Sequence, residues 1–325
     1  MLSELRKLPD DVLSIREATS QTLESKYTGL DADLSALAHS IQADLTPALT
    51  RLSAELFEEM EIAMNSFIPP CESPTGVQIY NSLAFVIAQV SGRLFVGKDL
   101  CRNPAYLECA VKYTLDVVNA AMGVKKVRPL LKRLLAPRLP EVKSLRDRER
   151  AAMDIIGPEI RRRKDAAKED AAWERPDDMI QWLIARSGES LAKLTNLQLV
   201  LTFAAIDTTT ATVTNVVYTL AAMPECVPEL REEISNVLAD NGGLVTNKAL
   251  QQMLKLDSYI REVTRYYPIG YTTFIRRVMK PFTLSNGQRI PTGVTIKALS
   301  FAVDADVDPR MSLPSSTVSG ITSSE

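Results

Sequence analysis

Histidine is almost missing from this chain: His39 is the only one in 325 residues. That scarcity excludes a multi-histidine metal site and leaves Ser-His-Asp or Cys-His catalysis dependent on His39 as the base. Cysteine is sparse too. Cys71, Cys101, Cys109 and Cys226 lack the close spacing of a zinc site or a thiol-redox motif. With no secretory signal ahead of them, they read as reduced, mostly buried thiols. Neither sign of charge is in excess. Lys and Arg number 38 against 40 Asp and Glu, a formal net charge of -2, which gives no electrostatic reason to expect nucleic acid or an anionic membrane as a partner.

Long unbroken apolar runs are scarce as well. Leu83 to Val96 is interrupted by Arg93 and is too short to span a bilayer, while Leu199 to Met223 is long enough but carries Asp207 and seven threonines. The second run is expected to be a buried helix crossing a protein interior; reading it as a membrane span requires lipid to tolerate Asp207. Nothing at the N-terminus resembles an anchor or targeting peptide, so a cytoplasmic location is expected if the chain is soluble. What is present is apolar mass, 46% hydrophobic against 24% charged, enough for a large core in a chain whose length permits two domains.

From the start to about Asp240, apolar residues recur at three- and four-residue spacing, with punctuation at Pro69-Pro70, Gly97, Pro104, Pro137, Pro140 and Pro224. The spacing predicts helix after helix. Leu45 to Phe67 shows a stripe of Leu49, Leu52, Leu56, Met60 and Ala63, and Val77 to Leu94 is apolar on nearly every side and so is expected to lie deep. Arg161-Arg162-Arg163-Lys164 sits among acids with no aromatic platform, which reads as a solvated helix face rather than a nucleic-acid surface. Helices are predicted at Val227 to Ala239 and at Leu256 to Tyr267, with a Gly242-Gly243 turn between them and Pro268 after the second. The period then becomes two. Arg277 to Met279, Phe282 to Leu284, a Ser285-Asn286-Gly287-Gln288 turn and Arg289 to Ile296 read as a hairpin, because Asn-Gly readily takes positive backbone angles. No internal repeat is seen. Met311 to Glu325 holds eight serines and threonines and is expected to be disordered.

Ala204 and Thr208 are four apart and share a helix face, with Ala205 and Asp207 flanking it. Activation of dioxygen on a metal needs room for the diatomic, a hydroxyl to hydrogen-bond it and an acid to relay protons, and this segment carries all three. Small residues also serve simply to let another helix approach, and the segment alone leaves both readings open. Glu262 and Arg265 stand three apart on the next long helix, close enough to pair. The apolar and aromatic residues around them imply a packed pair rather than a surface one.

The order of these features resembles the cytochrome P-450 superfamily: Ala204-Ala205-Ile206-Asp207-Thr208 on a long helix, an intervening helix, Glu262-Val263-Thr264-Arg265 closed by Pro268, Arg276, and the hairpin Phe282 to Gly293. Phe203 to Ile206 is similar to the long helix of fungal members of the kind that include ent-kaurene oxidase. The likeness extends back through Leu2 to Pro9 and Asp44 to Pro47, covers about residues 1–306, and corresponds to the middle of a family member. It implies a mainly α fold with a small β-hairpin or sheet, here a partial domain over 1–306 followed by a disordered Ser/Thr-rich tail over 307–325. It also implies a heme cofactor, a hydrophobic small-molecule substrate such as a terpenoid, electrons from NADPH-cytochrome P-450 reductase and insertion of one oxygen atom into a C–H bond. Nucleic acid is not an implied partner. By this resemblance Ala204 and Ala205 line the oxygen pocket, Asp207 and Thr208 serve proton delivery, Glu262 and Arg265 brace the heme-side core, and Arg276 pairs with a heme propionate.

The chain departs from the family in one respect that bears on activity. Family members bind iron through a cysteine in a loop resembling Phe-x-x-Gly-x-x-x-Cys-x-Gly after the hairpin, and no cysteine follows Cys226 here. Thiolate donation favours O–O cleavage in these enzymes. The arginine segment that joins the Glu-x-x-Arg pair, the helix under the heme, the membrane anchor that holds intact members at the endoplasmic reticulum and the first sheet strands also find no match. The expectation is therefore a chain truncated at both ends, of low stability and inactive as given. Two function classes follow: an incompletely encoded heme-thiolate monooxygenase, or a non-catalytic remnant or helical binding protein.

Overall fold

Most prolines and glycines fall at the joints, with Gly92, Gly123, Gly157 and Pro158 the exceptions inside long helices, and the computed structural model is mainly α. It describes residues 2–30, 35–170, 172–187 and 189–300; the serine- and threonine-rich end lies outside these residues. The helices of eight residues or more are α1 (Ile15–Thr22), α2 (Ser53–Phe67), α3 (Ile79–Phe95), α4 (Pro104–Lys126), α5 (Pro140–Glu169), α6 (Met179–Ser187), α7 (Leu191–Ala222), α8 (Cys226–Asp240) and α9 (Leu254–Tyr266). Five strands are described: β1 (Leu13–Ser14), β2 (Thr272–Val278), β3 (Phe282–Thr283), β4 (Arg289–Ile290) and β5 (Thr295–Leu299). Among the described residues, 35–114 and 148–269 form the larger of two compact units, and 2–30, 115–147 and 270–300 form the smaller.

The axis of the larger unit is α7. No proline or glycine falls within its 32 residues, and the Ser190 side chain starts it by accepting from the Lys193 N–H at 3.3 Å. At 1.5 Å per residue it is about 48 Å long. Several of its threonines bond back to the carbonyl four residues earlier: Thr202 to Gln198 at 2.8 Å, Thr210 to Ile206 at 2.7 Å and Thr219 to Asn215 at 2.9 Å, whereas the buried Thr214 hydroxyl has no partner among the described residues. A hydroxyl bonded back in this way can be buried without a second partner, which reconciles most of the threonine content with an interior helix. By length and hydropathy α7 is the one helix among the described residues that could cross a membrane. It packs instead on α3, α6 and α9, with Leu194, Leu197, Leu201 and Ile206 buried.

Helix α3 is packed between α2 and α7 and buries Leu83, Ala84, Val86, Ile87, Ala88 and Phe95, in line with its apolar sequence. At its far end α7 meets α8 and α9. Leu230, Tyr259 and Val263 form a buried cluster there, with Val216, Leu220, Met223, Cys226 and Leu256 packed around it.

Two expectations about charged helices are corrected. The stripe is split, because the helix breaks at Leu52 and restarts at Ser53: Leu52 at the break is buried and Leu49 before it exposed, while within α2 Glu59 and Ala63 are buried and Met60 is exposed. Glu59 is tolerated inside because Gln89 donates to it at 2.6 Å and Arg102 forks onto it at 2.7 and 3.0 Å. Burial opposes its charge, but these donors outweigh burial and hold the carboxyl below its usual range.

The basic run on α5 is likewise not uniformly solvated. Arg161 and Arg162 are exposed, but Arg163 is 3% exposed and forks onto Asp178, itself 1% exposed, at 2.5 and 2.8 Å. Its Nε also donates to Glu159 at 2.6 Å. Asp178 in turn accepts from the Gln181 N–H at 3.1 Å, which caps α6. Gly97 lies against this pair with φ +87°, and an added Cβ would come within 2.7 Å of Asp178 Oδ2. Glycine therefore permits both the turn and the close approach.

The smaller unit holds a three-stranded antiparallel sheet in the order β1-β2-β5 and the two-stranded ladder β3-β4. The predicted hairpin is present around Gly287, whose φ is +85°, with Leu284 N–H donating to the Gln288 carbonyl at 2.9 Å. Strand β1 was not foreseen. Its two residues pair with Arg277 and Val278, and Leu13 joins Leu5, Val278 and Leu284 in the unit's core. So short a strand carries no readable period.

Candidate functional site

Along the middle of α7 the burial alternates sharply. Leu201, Thr202, Ile206 and Thr210 are buried, whereas Ala204 and Thr208 are exposed and Ala205 and Asp207 are half-buried. Ala204 and Thr208 thus form a small-residue strip on an otherwise packed helix, as their four-residue spacing requires. The Thr208 hydroxyl donates to the Ala204 carbonyl at 2.9 Å, and Thr212 repeats the pattern by donating to the Thr208 carbonyl at 3.0 Å. These bonds fix where Thr208 Oγ1 sits and leave its lone pairs available to accept.

Asp207 points the other way around the helix. The phenolic hydroxyl of Tyr80, in the first turn of α3, donates to Asp207 Oδ1. Burial and the adjacent carboxylate push the Tyr80 phenol up to about 12. Sequence reading missed Tyr80, since the two residues are 127 positions apart and an isolated tyrosine at a helix start carries no signal.

The Glu262–Arg265 pair closes as its spacing predicts. Arg265 Nε donates to Glu262 Oε2 at 2.7 Å and Nη2 to Oε1 at 2.6 Å, with Glu262 only 5% exposed. α9 presents Tyr259 and Val263 to the cluster shared with the end of α7, and Asn215 of α7 donates to the Tyr267 carbonyl just past α9 at 3.4 Å. The larger unit therefore holds both motifs on helices packed against each other. Arg276 belongs to the smaller unit. It lies on β2 opposite Ile296, with its guanidinium 4.8 Å above the Phe274 ring and Nη1 donating to the Ile275 carbonyl at 2.9 Å. Phe274 has φ +50° where the β2–β5 register shifts, a left-handed conformation that costs a side-chain-bearing residue about 1–3 kcal/mol.

The α7 strip fits one face of a planar heme. It is exposed, it carries nothing larger than alanine and threonine at Ala204 and Thr208, and it places a hydroxyl beside the open surface. Among the described residues no group of three or more His, Cys, Asp or Glu side chains could hold a bare metal ion.

Comparison with known proteins bears on the family and the fold. The family model for cytochrome P-450 matches residues 39–308. The chain is 38% identical over 310 residues to cytochrome P-450 monooxygenase ATR3 of Stachybotrys chlorohalonatus, covering 94% of this chain and 65% of that one. It is 35% identical over 298 residues to the monooxygenase TES1 of Alternaria alternata, covering 91% and 56%. The chain thus spans between 56% and 65% of the length of these two curated relatives. The solved structure of retinoic acid bound cyanobacterial CYP120A1 matches with a TM-score of 0.56 at 19% identity over 79% of this chain and 54% of that one, which shows a shared fold. A family match over most of the chain, fungal relatives above 30% identity and the common helical architecture lead to one conclusion: this chain belongs to the cytochrome P-450 family.

Proposed function

We propose that this chain contributes the oxygen-handling side of a heme-dependent monooxygenase that inserts one oxygen atom into a hydrophobic small molecule such as a terpenoid, with electrons from NADPH-cytochrome P-450 reductase. The observation that carries this reading is the exposed Ala204–Thr208 strip with Asp207 on its flank, on a helix packed against the one bearing Glu262 and Arg265. When bound, heme supplies the iron at which dioxygen is reduced and cleaved.

The chain's own residues do the rest. Ala204 and Ala205 leave room for a diatomic, and larger side chains there would occupy it. The Thr208 hydroxyl, its hydrogen given to the Ala204 carbonyl, offers the Oγ1 lone pairs toward the open face as a proton acceptor, and the Asp207 carboxylate receives protons from solvent at its oxygens. Glu262 and Arg265 brace α9 where it packs on α7. The iron's sulfur ligand has no counterpart after Cys226 in these residues. The family resemblance supports a location at the endoplasmic reticulum membrane beside the reductase.

The test is heme reconstitution followed by reduction under carbon monoxide and by turnover with reductase and a terpenoid panel. Retained heme and an oxygenated product support the proposal. Failure to retain heme, in both the 325-residue chain and the longest product of its gene, contradicts it and favours the helical binding protein.

A further inference from the structure

Asp207 is held by a contact that the acid's role in proton delivery does not by itself require. Tyr80 lies at the open end of α3, 39% exposed, and reaches across the packed α3–α7 pair to Asp207. The turn that carries it is fixed locally, since Asn81 Nδ2 donates to Gln78 Oε1 at 2.7 Å. Among the described residues no salt bridge to Asp207 is formed, so the phenol is the donor seen on this carboxylate. A hydrogen bond to an ionised acceptor is roughly twice as strong as a neutral one and is directional. A half-buried carboxylate without such a donor samples several rotamers.

We propose that Tyr80 is a positioning residue for proton delivery: its hydroxyl holds the half-buried Asp207 carboxylate in one orientation on the flank of α7 that meets α3, one residue before Thr208. This assignment rests on the monooxygenase reading given above. A proton entering from water passes to a carboxylate held in one orientation, and Tyr80 itself is left unchanged. Loss of the phenol frees the carboxylate to turn away without altering the α3–α7 packing, because the ring remains.

Two measurements test this separately. In the heme-free 325-residue chain, labelled tyrosine NMR identifies the Tyr80 signal by its loss in Tyr80→Phe. That signal should titrate near 12 in the parent and lower in Asp207→Asn, which removes the carboxylate's share of the rise and leaves that of burial. An unchanged titration would overturn the contact. In the heme-loaded enzyme Tyr80→Phe should lower product formed per NADPH consumed several-fold and raise the solvent isotope effect on kcat, with KM for the organic substrate unchanged. Unaltered coupling and isotope effect would overturn the positioning role. A heme-loaded parent that forms no product would remove the monooxygenase reading, and the role with it, whatever the titration gives.

Discussion

Replacing Arg163 by methionine will lower the unfolding free energy of this chain by about 3–5 kcal/mol, the usual cost of removing one partner from a buried ion pair. The reason is the state of what remains. Asp178 is 1% exposed and receives two hydrogen bonds from the guanidinium, so without Arg163 its carboxylate keeps only the α6 N-terminus as a donor. Methionine fills the volume of the stem but returns none of the charge. The double variant Arg163→Met with Asp178→Asn should be less damaged than the single one, since no uncompensated charge is then buried. Urea unfolding of the three proteins, compared at equal m, checks both statements.

The same cluster sets a pH dependence. Burial opposes the charge on Glu159, but hydrogen bonds from Arg162 and Arg163 outweigh it and hold the carboxyl below its usual range. A depressed carboxyl contributes stability that is fully present above its unfolded pKa of about 4.3 and is lost as pH falls through the lower folded value. Arg163→Met removes part of that depression. Its stability should therefore fall less steeply with acid below about pH 4.3 than the parent's does.

Glu262→Ala is the second large effect expected. The carboxylate is 5% exposed and bidentate with Arg265, whose side chain is 21% exposed and so keeps some access to water. A cost of about 1–3 kcal/mol follows, smaller than for Arg163 because the Arg265 cation is partly solvated. Glu262→Gln should lose less, since one carbonyl still accepts from the guanidinium. Thermal or urea unfolding orders the two variants. If both match the parent, the pair is not a brace.

Local chemistry made much of this legible in advance. The period of apolar residues located the helices, Asn286-Gly287 located the hairpin turn, and three-residue spacing foretold the Glu262–Arg265 pair. What could not be read depends on which distant residue arrives. Arg163 looks solvated in a run of charges, and only the path of the chain to Asp178 buries it. Glu59 looks like the polar edge of a stripe until Arg102 and Gln89 are brought to it. Tyr80 acquires meaning only beside Asp207. Division into two compact units was likewise invisible, because each unit draws on separated stretches of sequence.

The exposed strip on α7 is proposed to face the place where a diatomic binds. Ala204→Phe tests it most directly, because Ala204 is exposed in the larger unit and a phenylalanine there disturbs no packed neighbour. In the ferrous heme-loaded protein, carbon monoxide association with this variant should slow at least about tenfold relative to the parent, the equivalent of roughly 1.4 kcal/mol. An association rate equal to the parent's, in a variant that folds and retains heme, would place the diatomic elsewhere and contradict the account.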